Sequence, residues 1–315
     1  MARAATLLFV ALAAGCAVKK TTRIAPAQQI RPALDATRAQ LVAAYNAQAA
    51  SVQSLNATVD LALTAGSEYT GVIEQYHDVH AFILAQRPAS IRMIGQAPVV
   101  AKDVFDMTSD GQTFRIFIPS QNKFLTGSDA LVRAAKKPIE NLRPQHVLDA
   151  LFWPAIPDGS PVLFEEYEES PNRFYILTLL RQGDSGPEIA RKIWFDRADL
   201  SIARVQIYGS EGRLDSDIAY TQWAPPTSDS TAAPSSAASP AAAASSPVPG
   251  QFARDIHLRR PQEDYALEIH VTKLALNAPI SADHFDLEQP PGSTLVHVDE
   301  QGAAEQPAGQ NGGQP

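Results

Sequence analysis

The sequence of 315 residues predicts a mainly β protein with a few helices, built on a single curved antiparallel sheet. Three observations lead to this fold class: apolar and polar residues alternate in many short runs, turn-forming pairs separate those runs, and helix-period apolar residues occur in two segments. Strands that follow one another through turns pair antiparallel, whereas parallel neighbours need a long crossover between them. We therefore expect one sheet in one domain.

Two helices are expected beside that sheet. The first is predicted over 32–52, because Pro32 is favoured in a first turn and apolar residues such as Leu41 and Tyr45 recur at helical spacing. The second is predicted from Pro144 to Phe152 and ends where Pro154 cannot continue a helix.

The strands are predicted from runs of alternating residues bounded by turn signals, of which Asp110-Gly111 is the sharpest. The predicted strands cover 55–64, 79–86, 89–95, 102–108, 113–119, 123–127, 161–168, 173–181, 189–196, 201–208, 213–223, 252–260 and 263–274. Several of these runs are apolar on both faces, which is unusual for a sheet packed on one side only. We expect a concave face too large for two short helices to fill. The simpler alternative is core packing on both faces.

The N-terminus has the pattern of an export signal. Arg3 precedes an apolar run over 4–14 that is too short to span a bilayer, and Gly15 stands before Cys16, the single cysteine of the chain. A buried thiol is the alternative interpretation of Cys16. No run of 18 apolar residues follows, so we expect the rest of the chain to be water-soluble.

Residues 12–16 resemble a bacterial lipobox. The resemblance implies a signal peptide over 1–15, a covalent lipid on Cys16, and a lipidated tether over 16–30. In the sorting rule that belongs to such proteins, Ala17 after the cysteine indicates the outer membrane.

Two further segments are expected to be disordered. Residues 224–250 are built largely from Ala, Pro, Ser and Thr, which cannot bury enough apolar surface to offset their chain entropy. Strand-like runs flank this segment, so it is predicted to be an overgrown hairpin loop inside the domain 31–298. The tail 299–315 has a similar composition.

The composition argues against several classes of function. A formal net charge of −8 disfavours nucleic acid as a partner, and one cysteine cannot form an internal disulfide. His77 and His80 would lie on opposite faces of a strand, so no metal site is predicted there. The glutamates of 165–169 are predicted to be a solvated hairpin tip. No catalytic motif is found, and we expect neither an enzyme nor a cofactor other than the lipid on Cys16.

Residues 31–298 resemble the outer-membrane lipoprotein localisation family (LolA/LolB-like), whose members are a periplasmic carrier and a lipid-anchored receptor. The segments that carry the resemblance are 90–93, 105–119, 192–212 and 274–292. The resemblance implies an incomplete β-barrel with a helical lid around an apolar cavity for acyl chains. The insertion 224–250 departs from the family pattern, and no transfer loop of a receptor can be matched residue by residue.

The sequence thus predicts a monomeric lipoprotein on the periplasmic side of the outer membrane, with acyl chains or lipoproteins as ligands and a periplasmic carrier as a candidate partner. The residues predicted to line the cavity are Phe105, Phe114, Ile116, Phe174 and Ile176. The alternatives are a structural envelope lipoprotein without a ligand, a sensor of the same fold, and an enzyme.

Overall fold

A computed structural model describes residues 32–66, 71, 73–98, 102–129, 141–169, 171–226 and 250–298. Cys16, the segments 1–15 and 16–30, residues 227–249 of the insertion, and the tail 299–315 lie outside the described residues. The predictions made for those segments therefore stay predictions.

Two helices are present in the described part of the chain, α1 (Arg38–Ser51) and α2 (Pro144–Leu151). The helix predicted from Pro32 begins later because Thr37 forms a capping box with Gln40: each side chain accepts a hydrogen bond from the other residue's backbone N–H. The chain before it is held extended, since the Leu34 N–H donates to the Arg197 carbonyl at 2.7 Å. Neither helix has the length and apolar composition needed to cross a membrane.

Within the described ranges, fourteen strands form one sheet. The strands are β1 (Ser54–Ala65), β2 (Glu74–Gln86), β3 (Ser90–Gln96), β4 (Asp103–Ser109), β5 (Thr113–Ile118), β6 (Lys123–Ser128), β7 (Val162–Glu169), β8 (Asn172–Gly183), β9 (Gly186–Asp196), β10 (Ile202–Tyr208), β11 (Leu214–Ala224), β12 (Phe252–Arg260), β13 (Tyr265–Leu276) and β14 (Thr294–His297). Every predicted strand is confirmed, although β2 begins earlier than predicted and β14 was not predicted.

The sheet consists of two meanders that meet in its middle. Its strand order is β14-β6-β5-β4-β3-β2-β1-β13-β12-β11-β10-β9-β8-β7. The first six strands run outward from β1, and the chain then passes through α2 to the opposite edge, from which β7 to β13 return to pair with β1. All neighbours are antiparallel except β14 and β6, which pair parallel. The two edge strands do not pair, so the sheet is open.

The core lies on one face of this sheet, which we call the inner face. A single cluster of buried apolar residues joins both helices to strands from β1 through β4 and from β8 through β13. Tyr45 of α1, Val147 of α2, Met93 of β3 and Ile193 of β9 are fully buried members. Because strands far apart in the sheet share one core under two short helices, the sheet must curve around it. The predicted single curved sheet is confirmed.

The outer face of the first meander is crossed by the chain between β13 and β14. The Thr108 hydroxyl donates to the Phe285 carbonyl at 2.7 Å, and Arg92 Nη1 donates to the carbonyls of His284 and Asp286 at 3.1 and 3.2 Å. Arg92 also forms a bidentate ion pair with Asp106. These contacts hold the C-terminal segment along the sheet until β14 reaches β6.

Candidate functional site

The five residues predicted to line one cavity lie on two different faces of the sheet. Phe105 and Ile116 pack against the inner-face core, and Phe114 shares the face of Ile116 because side chains two apart on a strand point the same way. Phe174 and Ile176 alternate with Tyr175 and Leu177 of the core and therefore point to the outer face. The structure thus brings three of the five together and separates the other two from them.

Of the three inner residues, Phe114 is fully buried, whereas Phe105 and Ile116 are partly buried against the core. Phe114 has 0% of its surface exposed, and the Arg143 guanidinium lies 4.4 Å from the centre of its ring. The Phe105 ring covers Gly95 so closely that a Cβ at that position would come within 2.3 Å of a ring carbon. A glycine is therefore needed there for the ring to fill its place.

Of the two outer residues, Phe174 belongs to an aromatic group near the sheet edge, and Ile176 lies next to that group. The Trp194 ring lies edge-on to Phe174 at 5.6 Å and to Tyr167 at 5.3 Å between ring centres. Ile176 pairs with Trp194 across the strands and is buried. The alternation within 174–179 indicates that Phe174 and Ile176 share one face of the strand. Because the run is apolar on both faces, it does not indicate which face lies on the core.

None of the five lines either of two cavities that described residues form. One of about 200 Å³ is an open hollow on the outer face, lined mainly by polar side chains. The other has a volume of only about 10 Å³ and lies beneath α1. The small cavity is lined by Gln48, Ala49, Val52, Arg87, Leu151, Trp153 and Phe252.

Arg87 joins the two helical segments beside the small cavity. Its Nε donates to the Val52 carbonyl at 2.9 Å, and its Nη2 donates to the carbonyls of Ala49 at 2.9 Å and Trp153 at 3.0 Å. The guanidinium also lies 5.0 Å from the centre of the Phe152 ring. Burial lowers the pKa of Arg87, and nearby Tyr45 opposes this change. One arginine therefore ties the end of α1 to the chain that follows α2.

A second set of polar contacts holds α1 to the same segment. The Asn46 amide donates to the Ile156 carbonyl at 3.0 Å and accepts from the Ile156 N–H at 2.8 Å. The Tyr45 hydroxyl donates to the Pro154 carbonyl at 3.2 Å, and Arg191 donates to that hydroxyl at 3.0 Å. Burial raises the pKa of Tyr45. These polar contacts thus hold α1 to the chain that follows α2 and to Arg191 of β9.

The second helix has its own buried polar contact with the sheet. His146 Nδ1 and the Tyr265 hydroxyl lie 2.6 Å apart, and both side chains are buried. Burial lowers the pKa of His146 well below its ordinary value, and the positive charges of Arg260 and Arg143 lower it further. His146 was not singled out from the sequence, since a lone histidine in a helix gives no signal of its partner.

Histidines and carboxylates alternate across four strands on the outer face. Asp60 Oδ1 lies 3.0 Å from His80 Nδ1, and Asp255 is bonded to His270, which pairs with Asp60 across the strands. The side chain of His77 is outside the described residues. Within the described part of the chain, no three His, Cys, Asp or Glu side chains are placed to hold a metal ion.

No protein-family model matches the chain, and the comparison with curated proteins also gives no match. Among solved structures, the chain is similar to a DUF1329 family protein from Desulfovibrio piger, with a TM-score of 0.47 and 12% identity over 80% of this chain and 98% of that chain. It is also similar to a LolA superfamily protein from Nitrosomonas europaea, with a TM-score of 0.44 and 10% identity over 80% of this chain and 99% of that chain. Inference about function therefore depends on the residues of this chain.

Proposed function

We propose that the chain is an envelope lipoprotein that binds acyl chains between its helices and the inner face of its sheet. The observation that carries the proposal is the mismatch between a broad apolar inner face and the two helices, of 14 and 8 residues, that cover it. The polar contacts that hold this cover include those of Arg87, those of Tyr45 and Asn46, and the contact of His146 with Tyr265.

Apolar burial of a ligand can offset the polar contacts that hold the cover. Each buried CH₂ group of an acyl chain contributes roughly 0.8 kcal/mol, whereas a hydrogen bond exposed to water on opening costs about 1 kcal/mol net. A long acyl chain can therefore offset the loss of the contacts at Arg87. In this mechanism the small cavity beneath α1 is the point at which the layer between helix and sheet first opens.

The anchor and location are part of the same proposal. The segment 12–16 supplies a lipid attachment site at Cys16, and Ala17 directs the protein to the outer membrane, where the domain faces the periplasm. The ligand is then the acyl portion of a membrane lipid or of another lipoprotein, delivered by a periplasmic carrier. The proposed role is binding, without a catalytic step.

One observation favours a second candidate, a structural envelope lipoprotein without a ligand. Phe114 is fully buried, Phe105 and Ile116 pack against the core, and the cavity beneath α1 has a volume of only about 10 Å³. A protein that never opens would have these properties.

A fluorescent fatty-acid titration distinguishes the two candidates, using a chain that begins at Thr21, its Arg87→Ala variant, and Arg213→Ala as a control arginine on the surface. If the closed state limits binding, removing Arg87 populates the open state and tightens the apparent affinity, because affinity scales with the competent fraction. The control should bind as the unaltered chain does.

Thermal unfolding of each variant shows whether the domain remains folded. Absence of fatty-acid binding by the unaltered chain, together with no lipid in its organic extract by mass spectrometry, would favour the structural role. Tighter binding by Arg87→Ala than by Arg213→Ala would favour the acyl-binding role.

A further inference from the structure

The two edges of the sheet are treated differently by the chain. At one edge, residues 294–297 of β14 pair with 123–126 of β6 and cover most of that strand. At the other edge, β7 pairs with β8 on one side only. Residues 163–169 of β7 are all exposed. An uncovered edge strand presents backbone groups that can bind another strand.

The backbone groups that point outward from β7 follow from its register. Val162 pairs with Leu179, and the Leu180 N–H donates to the Pro161 carbonyl at 3.1 Å, so odd-numbered residues of β7 bond to β8. Even-numbered residues then face the open edge. Arg38 confirms this, since its Nη1 donates to the Val162 carbonyl at 3.2 Å.

Three residues continue this open edge beyond Val162. Phe164, Glu166 and Glu168 each direct an N–H and a carbonyl outward, and no described residue forms a hydrogen bond with these backbone groups. Six backbone groups in a row are therefore available for β-strand addition, which draws its affinity from main-chain hydrogen bonds.

Exposed apolar side chains are concentrated on this same strand. Leu163, Phe164 and Tyr167 are 58%, 38% and 42% exposed, and they are three of the eight large apolar residues exposed in the described part of the chain. Leu163 and Tyr167 point to the outer face, where Tyr167 contacts Trp194. A bound strand would cover these side chains, so the open backbone groups and the exposed apolar side chains both favour strand addition.

The charges of β7 decide which kind of strand can bind. Glu165, Glu166, Glu168 and Glu169 lie among its eight residues. In antiparallel pairing with a second copy, even-numbered residues lie opposite even-numbered ones, so centred pairing sets Glu165 or Glu166 opposite the same glutamate of the other copy, and like charges in that position destabilise a sheet. A second copy of this chain is thus disfavoured, whereas lysine or arginine opposite each glutamate is stabilising.

We propose that β7 is a docking strand for an extended basic segment of another protein, which adds to the sheet edge with Lys or Arg opposite the glutamates and apolar residues opposite Leu163, Phe164 and Tyr167. The lysine and arginine side chains already near β7 leave its glutamates accessible to this segment. Lys192 approaches Glu165 at 3.9 Å and Arg197 approaches Glu166 at 2.7 Å, yet these two carboxylate side chains remain 53% and 62% exposed.

The test uses the full chain in phosphatidylcholine nanodiscs, which carry no net charge, and a labelled ten-residue peptide that contains Lys-Lys-Val-Lys-Lys-Val-Val, which sets Lys opposite the glutamates of β7 in antiparallel pairing. The same peptide with Glu in place of Lys and empty nanodiscs are the controls. Binding is measured by fluorescence anisotropy at low and high salt. We expect the basic peptide to bind, more weakly at high salt, and the acidic peptide not to bind.

Two variants of Glu168 separate the backbone contribution from charge. Glu168→Pro removes an N–H that faces the open edge without removing a bond to β8, and proline is tolerated on edge strands in this orientation. Glu168→Gln removes the charge alone. We expect Glu168→Pro to weaken the basic peptide about tenfold or more, and Glu168→Gln to weaken it less.

A double variant, Glu165→Lys with Glu168→Lys, keeps the test decisive if Glu168→Pro does not fold. It should reverse the preference and bind the acidic peptide. Equal binding of both peptides to the unaltered chain, or unchanged preference in the double variant, would overturn the proposal. Dimerisation of the chain that is lost in the double variant would assign β7 to self-pairing instead.

Discussion

Phe114 and Phe164 are two phenylalanines on strands of one sheet with opposite environments. Phe114 is 0% exposed, whereas Phe164 is exposed at the edge. Truncating a fully packed phenylalanine costs about 3–5 kcal/mol, so we expect Phe114→Ala to lower the free energy of unfolding by that amount and Phe164→Ala by much less. Denaturant unfolding of both variants measures the difference.

A small loss for Phe114→Ala, equal to that of Phe164→Ala, would mean that Phe114 borders a space that protein does not fill. The cavity predicted from the sequence requires that smaller loss, because a ring at a cavity wall has fewer contacts to lose. Comparison of the two variants therefore tests the packing of the inner face directly.

His146 makes stability depend on pH. Its pKa in the folded protein lies well below the ordinary value of 6.5, mainly because of burial, so the unfolded chain binds the proton first. Stability should then fall as the pH is lowered through about 6.5, by up to about 1.4 kcal/mol per pH unit. We expect His146→Gln to remove this slope in denaturant unfolding measured between about pH 7.5 and 5.5.

Other titrating groups act equally in both proteins, so the difference between them isolates His146. An identical pH dependence in the unaltered chain and the variant would show that the contact with Tyr265 does not control protonation.

At the residue scale, the sequence could identify which side chains are apolar but not which of them meet. Phe174 and Phe114 look alike in their runs, yet one joins the outer aromatic group and the other the core. The contact of His146 with Tyr265 joins residues 119 positions apart, which no local pattern contains.

At the element scale, local residue patterns were sufficient to predict the hairpins of the sheet. Asp110 accepts hydrogen bonds from the N–H groups of Gln112 and Thr113, as the predicted turn requires. The start of α1 was misplaced because the capping box at Thr37 outweighs the proline at 32. The strand β14 escaped prediction since its four residues form a strand only by pairing with distant β6.

The insertion between β11 and β12 gives a prediction at this scale. The two strands pair up to Ala224 and Phe252, so the hairpin is complete without the intervening residues. Replacing 225–249 with a short Gly/Ser turn should change the free energy of unfolding by no more than about 1.5 kcal/mol, because closure entropy grows only with the logarithm of loop length. Loss of the cooperative thermal transition would show instead that the segment packs on the domain.

At the scale of the whole molecule, attachment to the membrane is predicted to depend on one atom, the Cys16 sulfur. We expect Cys16→Ser in the full chain to abolish lipidation and to leave the protein uncleaved or released from the membrane fraction. Membrane fractionation and mass spectrometry of the intact protein measure both effects. Wild-type migration and fractionation of the variant would show that the lipobox interpretation is wrong.

The fold class could be predicted from the sequence, but the order of the strands in the sheet could not. Turns between successive strands predicted antiparallel neighbours, and these form both meanders. The pairing of β1 with β13, which unites the meanders, has no signal in either strand because both alternate in the same way. The position of the open edge at β7 follows from that arrangement and was likewise not visible in the sequence.

The pairing of β1 with β13 also determines when the sheet can be completed during synthesis. It joins residues 54–65 to residues 265–276, so most of the chain lies between the two partners. Contacts so distant in sequence form slowly, and the centre of the sheet is incomplete until the last long strand has left the ribosome. The complete sheet thus cannot form until nearly all of the chain has been synthesised, and an incompletely folded polypeptide is the state that can be threaded through an export channel.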